Sequence, residues 1–550
     1  MPLLRDYQNM NGNIDQLPTL VNLSAVHLEA PAPYFIVEAI TIDHQATWII
    51  PAARKAAGAP KSASRSEGAE SYCSVFRNLI KNSGIYALSS LASPLISLVL
   101  APLLTRNLTH ADYGALAVLN TIIALVAGIT QLGINAAFFR VYNFDYESES
   151  DRLRVLSTVV ALLSLITIPT VIAGLMLAPW LASMTLGSAS FSVSIQLASL
   201  VILAQNFSVP GLVWLRAKHR AEFYSLLSIA NLITNAGITI VLVGIMHMGI
   251  IGALMAVGAG YALMAICTLP LILARAGIHL RFTIASGLLS FGLPHLANLV
   301  SGWVLQLSDR YLLGHLASLS ETASYAVAYS LGGILSAVVI APFSLAWWSM
   351  MYTIAKRNDA KRVFELVFRW FSLLLLFATF GFSLLGIIML DTFFPPAYHV
   401  TAPVIPIIAL STMFYGAYGV VTIGISLQRK TWIAAILFTS SALLNVGINI
   451  ILIPFYGAMG AAIATLIAYA ALAMPGYLVN QWLYPVSFHI GRFLIALLLG
   501  LVLYFGSDSL AQGFSIYMAW AIHIGSLALY GACLVALGMI PVRDRNKTHT

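Results

Sequence analysis

Residues 290–316 read SFGLPHLANLVSGWVLQLSDRYLLGHL, an apolar run of helical length that nevertheless carries groups able to bind, donate and hold charge. At 100° per residue, His295, Asn298, Gly302, Gln306 and Asp309 fall within about 80° of one another, with Arg310 just beside them. Leu296, Val300, Val304 and Leu307 point the other way. An ionisable group at the centre of a membrane helix costs at least ~2.5 kcal/mol, so such a stripe must face a cavity or another helix. Two chemistries fit. In one, the amides bond neighbouring helices, Arg310 reaches the headgroups and Asp309 is its counter-ion. In the other, Arg310 stands near a polar lumen and attracts an anionic headgroup.

Similar faces recur elsewhere. Asn120, Gln131 and Asn135 share one side of the apolar run 114–139, and Arg106 and Arg140 stand at the ends of the first two runs. Asn231, Asn235 and Thr239 correspond to Ser441, Asn445 and Asn449 in a later run. Together they suggest a wide hydrophilic chamber rich in hydrogen-bond donors and acceptors, which suits sugars. Trp303, Trp347, Trp348, Tyr352 and Tyr415 fit sugar stacking and interfacial anchoring alike. The acidic stretch DYESESD, Asp145 to Asp151, is flanked by Arg140, Arg152 and Arg154 and reads as a solvated loop. The chain carries no phosphate-cradling glycine loop, metal-ligand motif or nucleophile constellation, so neither an enzyme, a cofactor nor a metal is expected.

The elements that must position these groups follow from composition. Of 550 residues, 59% are hydrophobic and only 9% charged, and the mean hydropathy is +0.88. Soluble domains carry about 25% charged residues. Apolar runs long enough to cross a ~30 Å hydrocarbon core recur from about residue 80 to about residue 538. We count fourteen such runs, which makes this an all-α polytopic membrane protein. Its three cysteines are scattered and suggest inert thiols. The net charge of +8 sits in short loops beside the membrane, leaving no nucleic-acid reading.

Lys and Arg collect in the N-terminal tail and in alternate loops, including Arg152 and Arg154, Arg216, Lys218 and Arg220, Lys356 to Arg362, and Arg543 to Lys547. The opposite turns hold only Arg106 and Arg310. By the positive-inside rule both termini are cytoplasmic, which agrees with an even number of spans.

Two stretches repeat: NAGITIVLVGIMHMGIIGAL at 235–254 aligns with NVGINIILIPFYGAMGAAI at 445–463. Asn235 pairs with Asn445 and Gly237 with Gly447 at an offset of 210, Gly249 with Gly457 and Gly252 with Gly460 at 208, and Tyr113 with Tyr325 at 212. A repeat of six spans puts both copies the same way up, about an axis along the membrane normal. The expected organisation is a poorly ordered cytoplasmic tail over 1–75, an N-terminal lobe over 76–275 (spans 1–6), a C-terminal lobe over 276–484 (spans 7–12), and spans 13–14 with a cytoplasmic tail over 485–550. Two such lobes suit transport by alternating access about a central site.

Three stretches carry a family resemblance: APLLTRNLTHADYGALAVLNTIIALVAGITQLGINAAFFRVYN at 101–143, FGLPHLANLVSGWVLQLSDRYLLGHLASLSETASYAVAYSLGGIL at 291–335, and APFSLAWWSMMYTIAKRNDAKRVF at 341–364. Through them the chain resembles the oligosaccharide (O-antigen type) flippases, the polysaccharide-transport branch of the multidrug/oligosaccharidyl-lipid/polysaccharide exporter superfamily. The resemblance implies two six-helix lobes around a cationic cavity in the bacterial inner membrane. The cargo it implies is a short oligosaccharide on an undecaprenyl diphosphate carrier, with H+ or Na+ as a coupling ion. Its cavity cations carry over onto Arg310, and further onto Arg106 and Arg140.

The site expected overall is therefore Arg310, Asp309, Gln306, Asn298, His295, Arg106, Arg140, Asn135, Gln131, Asn235 and Asn445. Rival readings are a cation-coupled multidrug exporter and a peptidoglycan-precursor flippase of the same superfamily. The exporter is disfavoured because spans 1–6 hold no Asp or Glu within their apolar stretches. A membrane glycosyltransferase or polymerase would need catalytic groups on sizeable outer loops, and those connections are short.

Overall fold

The computed structural model describes residue 96 and residues 98–537 except 147, 219, 429 and 512. The expected tail over 1–75 and most of the first span lie outside the described residues, as do the side chains of His295 and Asn298. Helices follow one another with short connections: α1 (98–107), α2 (His110–Thr130), α3 (Ile134–Arg140), α4 (Glu149–Met176), α5 (Ala178–Leu186), α6 (Ser192–Ala217), α7 (Ala221–Thr239) and α8 (Gly249–Ala276). The second half contains α9 (Phe282–Leu316), α10 (Leu319–Gly332), α11 (Ala341–Ala355), α12 (Ala360–Phe393), α13 (Val404–Val421), α14 (Ile423–Leu427) and α15 (Thr431–Leu483), and the chain closes with α16 (Ile490–Ala511) and α17 (Ile516–Ala536). No strand occurs among the described residues.

Eleven helices among the described residues are long and apolar enough to cross a membrane, so the protein is a multi-pass membrane protein. One of them, α15, has 53 residues and bends at Gly457, where φ is 51° and ψ −130°. At 1.5 Å per residue a straight helix of that length would far exceed the bilayer, so the bend divides it into two spans. The expected spans 431–454 and 457–483 meet at this bend, and the expected seventh span lies within α9.

The internal repeat is visible in the backbone. Gly249 and Gly457 both have positive φ, 62° and 51°, and each opens the last long helix of its half. Gly252 packs against Leu242, and its repeat partner Gly460 packs against Leu452, the repeat partner of Leu242. Asn231 meets Gly260, while Ser441 donates to the carbonyl of Ala468. A match of packing partners as well as residue types is what two copies of one unit in the same orientation require.

The single helix expected over 114–139 is interrupted. Leu132 (φ 53°) and Gly133 (φ 68°) take left-handed conformations between α2 and α3. The cause is a close approach: a Cβ on Gly133 would overlap the carbonyl of Gly292 on α9. Broken backbone at membrane depth is tolerated only where it is buried in protein or lines a polar cavity.

Burial shows how the halves join. One core contains Leu108, Leu116 and Leu119 of the first half together with Ala323, Tyr325, Val327, Leu390 and Ile405 of the second. The cores near the other end are separate. One gathers α3, α4, α6, α8 and Ile284 and Leu288 from the start of α9, and another gathers α11 to α13 with α16 and α17. Helix α9 thus begins in the core of the first half, buries Leu305 in one of the second, and ends with Leu313 in the shared core. The charged stretch at 145–151, expected as a solvated loop, is mostly exposed but partly helical: Ser148 caps α4 by accepting from Asp151 N, and in the first turn Asp151 pairs with Arg154 at 2.6 Å and Glu149 with Lys218 at 2.6 Å.

Candidate functional site

The polar residues gather into two buried centres, one in each half. In the second half, Asp309 on α9 is fully buried at 0% exposure. Tyr325 of α10 donates its hydroxyl hydrogen to Asp309 Oδ2, and Thr465 of α15 donates to the same oxygen at 3.3 Å. Asp309 Oδ1 has no partner among the described residues. One turn apart on α15, Asn449 Nδ2 donates to Asn445 Oδ1 at 3.0 Å, and Ser308 Oγ donates to that oxygen at 3.2 Å. Asn445 Nδ2 and Asn449 Oδ1 are left without partners among the described residues. A fully buried carboxyl group with one bare oxygen must either hold a proton or face a compensating positive charge.

Arg310 is held by a carbonyl and a ring instead of by its neighbour Asp309. Its Nη1 donates to the carbonyl of Gln306 at 3.2 Å, and its guanidinium lies 4.3 Å from the centre of the Tyr329 ring. Tyr329 is hydrogen-bonded to Tyr469, which packs on Tyr415 at 5.4 Å. Arg310 is half-buried, so its charge remains available to an anion approaching from the polar side.

The first half builds its centre from neutral groups around the break after α2. Asn206 of α6, fully buried, donates to Thr130 Oγ1 at 2.7 Å and to Thr167 Oγ1 at 2.9 Å. Its Oδ1 accepts from Gln131 Nε2 at 3.1 Å, and Gln131 Oε1 accepts from Asn135 Nδ2 at 3.3 Å. Replacing Asn206 by Leu removes three bonds that hold α2, α4 and α6 together. With membrane side-chain bonds worth about 0.6 to 1.7 kcal/mol each, Asn206→Leu is expected to lower the thermal unfolding midpoint clearly, whereas Asn135→Leu, losing one bond, shifts it little.

The other expected residues lie apart from these centres. Arg106 is exposed and donates to the Phe393 carbonyl at 3.2 Å, next to a seam in which His110 bonds Ser324 at 2.9 Å and stacks on Tyr398 at 4.0 Å. Arg140, also exposed, lies 5.1 Å over the Phe291 ring, past the far end of α2. Asn235 accepts from Thr239 at 3.3 Å on α7, a helix that packs on α6 and α8, whereas its repeat partner Asn445 reaches α9 by accepting from Ser308. His295 and Asn298 belong to α9 by backbone alone. The residues that sequence reasoning passed over are Tyr325, Thr465, Ser308, Asn206, Thr130 and Thr167. Only Tyr325 carried a signal, as the repeat partner of Tyr113, because lone Ser, Thr and Asn residues in apolar helices have no distinguishing pattern.

The sequence over residues 79–355, half of the chain, matches the model of a family described as polysaccharide biosynthesis protein. The chain belongs to that family. No curated protein matches it in sequence. Among solved structures, the chain is similar to the lipid II flippase MurJ in an inward closed conformation, with a TM-score of 0.63 at 18% identity over 82% of this chain and 99% of that one. It is also similar to an inward-facing multidrug resistance MATE family transporter of the MOP superfamily, with a TM-score of 0.55 at 13% identity over 72% and 97%. A third is the MATE multidrug transporter DinF-BH, with a TM-score of 0.52 at 14% identity over 77% and 99%. The family is therefore that of the polysaccharide biosynthesis proteins, and the fold is one shared with the lipid II flippase and the MATE transporters.

Proposed function

We propose that the protein is a flippase that moves a polyprenyl-diphosphate-linked oligosaccharide across the cytoplasmic membrane for cell-surface polysaccharide biosynthesis. The observation that carries this reading is Arg310, a half-buried cation beside the polar centre of a polysaccharide-family transporter, held by a carbonyl and a tyrosine ring. A diphosphate needs such a charge, and the glycan needs neutral donors and acceptors of the kind gathered around Gln131, Asn135 and Asn206. The lipid tails remain in the bilayer while the headgroup crosses.

Alternating access is supported by the asymmetry of burial, with a core shared between the halves at the His110–Ser324 end and separate cores near the other. The coupling ion, H+ or Na+, fits Asp309. The centre offers one carboxylate and neutral oxygens, and no cluster of three His, Cys, Asp or Glu occurs among the described residues. That donor set suits a proton or a monovalent cation better than a divalent metal. The neutral centre of the first half argues against drug export, which would be served by a carboxylate there. A peptidoglycan-precursor flippase shares the lipid-diphosphate chemistry and is favoured as second reading by the likeness to the lipid II flippase fold.

The test uses purified protein in liposomes containing a fluorescent polyprenyl-diphosphate oligosaccharide, following its protection from an external quencher. Arg310→Ala is expected to slow translocation by about tenfold or more, a loss of roughly 1.4 kcal/mol of barrier lowering. Undiminished flipping by the folded variant would refute the role of Arg310. Organic-cation transport without any lipid flipping would assign the protein to drug export.

A further inference from the structure

Away from both polar centres, a cleft forms where α12 meets the start of α16, lined among others by Glu365, Arg369, Ser372, His489 and Arg492. Four of its features ask for an anion. Arg369 and Arg492 both line it, placing two positive charges on one cleft, an arrangement that a shared negative ligand would favour. Ser372, only 1% exposed, lines the cleft with a hydroxyl that has no partner among the described residues. His489 adopts a left-handed φ of 49°, a strained conformation for a residue other than glycine. Helix α16 begins immediately afterwards at Ile490, so the positive end of its dipole lies at the cleft.

Glu365 is the one acid in the cleft; its Oε1 lies 3.4 Å from His489 Nδ1 and its charge also attracts Arg369. The two arginines outnumber it, so the local charge stays positive. The surroundings identify the anion's carrier. Trp370, Leu374 and Phe377 continue along α12 with 38%, 49% and 40% exposure, and Leu494, Ile495 and Leu498 do the same along α16. A headgroup held between the arginines would have its acyl chains lying against these apolar strips. Positive charge in the adjoining segment, Lys361 and Arg362, is where the sequence expects the cytoplasmic surface with its anionic lipids.

We infer that this cleft binds the phosphate of an anionic phospholipid, as a site separate from the transport path. The inference rests on the membrane fold and is independent of the cargo. The full-length protein in detergent is titrated with phosphatidylglycerol, phosphatidylcholine or inorganic phosphate. Two quantities are read: the thermal unfolding midpoint and the lipid retained in native mass spectrometry.

Phosphatidylglycerol is expected to raise the wild-type midpoint and to stay bound, while phosphatidylcholine does neither. The double variant Arg369→Gln/Arg492→Gln is expected to retain about tenfold less phosphatidylglycerol, equivalent to roughly 1.4 kcal/mol. Arg281→Gln, at the start of α9, should behave as wild type. Because removing two charges at a helix junction can disturb folding, Ser372→Ala serves as a second variant, which gives up the bare hydroxyl and is expected to weaken retention without lowering the midpoint in phosphatidylcholine. Equal retention by wild type and both variants overturns the site. Stabilisation by inorganic phosphate as large as that by phosphatidylglycerol overturns the lipid as its ligand and assigns the cleft to soluble phosphate.

Discussion

Asp309→Asn is expected to uncouple transport from its driving ion while leaving the protein folded. The substitution keeps shape and hydrogen-bonding capacity at a position of 0% exposure, where Tyr325 and Thr465 both donate to Oδ2. What it removes is the negative charge, and with it the reason for a cation or proton to occupy the space beside the unpartnered Oδ1. Flipping in liposomes under an imposed proton or sodium gradient should exceed flipping without one in the wild type. In the variant the gradient-driven part should fall by about tenfold or more, a change of roughly 1.4 kcal/mol per decade. Running the two gradients separately identifies the ion. Asp309→Leu makes a contrasting control, since it strands the Tyr325 and Thr465 hydroxyls and should destabilise the fold by about 1–3 kcal/mol as well. An unchanged gradient response in Asp309→Asn would remove Asp309 from the coupling mechanism.

The second large effect is expected at Gly114, in the seam where the halves share a core. A Cβ there would collide with the backbone carbonyl of Leu319 and crowd the backbone nitrogen of Ala323, both on or beside α10. Neither obstacle is a side chain that can swing aside. Gly114→Leu should therefore hold α2 and α10 apart at the end where His110 meets Ser324 and Tyr398. Overpacking of this kind costs about 1–3 kcal/mol. Applied to one of two conformations, that cost shifts the population about 5- to 150-fold. With Cys73, Cys267 and Cys533 replaced by serine, a cysteine introduced by Ser324→Cys, at a position only 5% exposed, should react with a water-soluble maleimide correspondingly faster in the Gly114→Leu background, and flipping should fall in parallel. Slow labelling together with normal flipping would mean that this seam does not open during transport.

Much was legible in the residues alone. Hydropathy determined the class, because a chain with 9% charged residues and serial apolar runs has no other stable home than a bilayer. The repeat of Asn, Gly and Tyr at offsets of 208 to 212 predicted two like halves, and the backbone repeats at Gly249 and Gly457. The 100° spacing on α9 put Gln306, Asp309 and Arg310 on one side of a helix that must turn them away from lipid. These properties are local or periodic, so they survive in one dimension.

Tertiary structure alone decided which polar groups meet. Asp309 and Thr465 are 156 positions apart in the numbering and meet in one centre, and Asn445 accepts from Ser308 on α9, while Asn235, equivalent to Asn445 by sequence, bonds only along α7 to Thr239. Arg310 and Asp309, adjacent in the chain, take separate partners because successive residues on a helix point about 100° apart. The break after Thr130 was hidden as well, since its cause is the backbone of Gly292 on another helix. Periodicity tells a side chain which way to face; the partner it finds there depends on how distant helices pack.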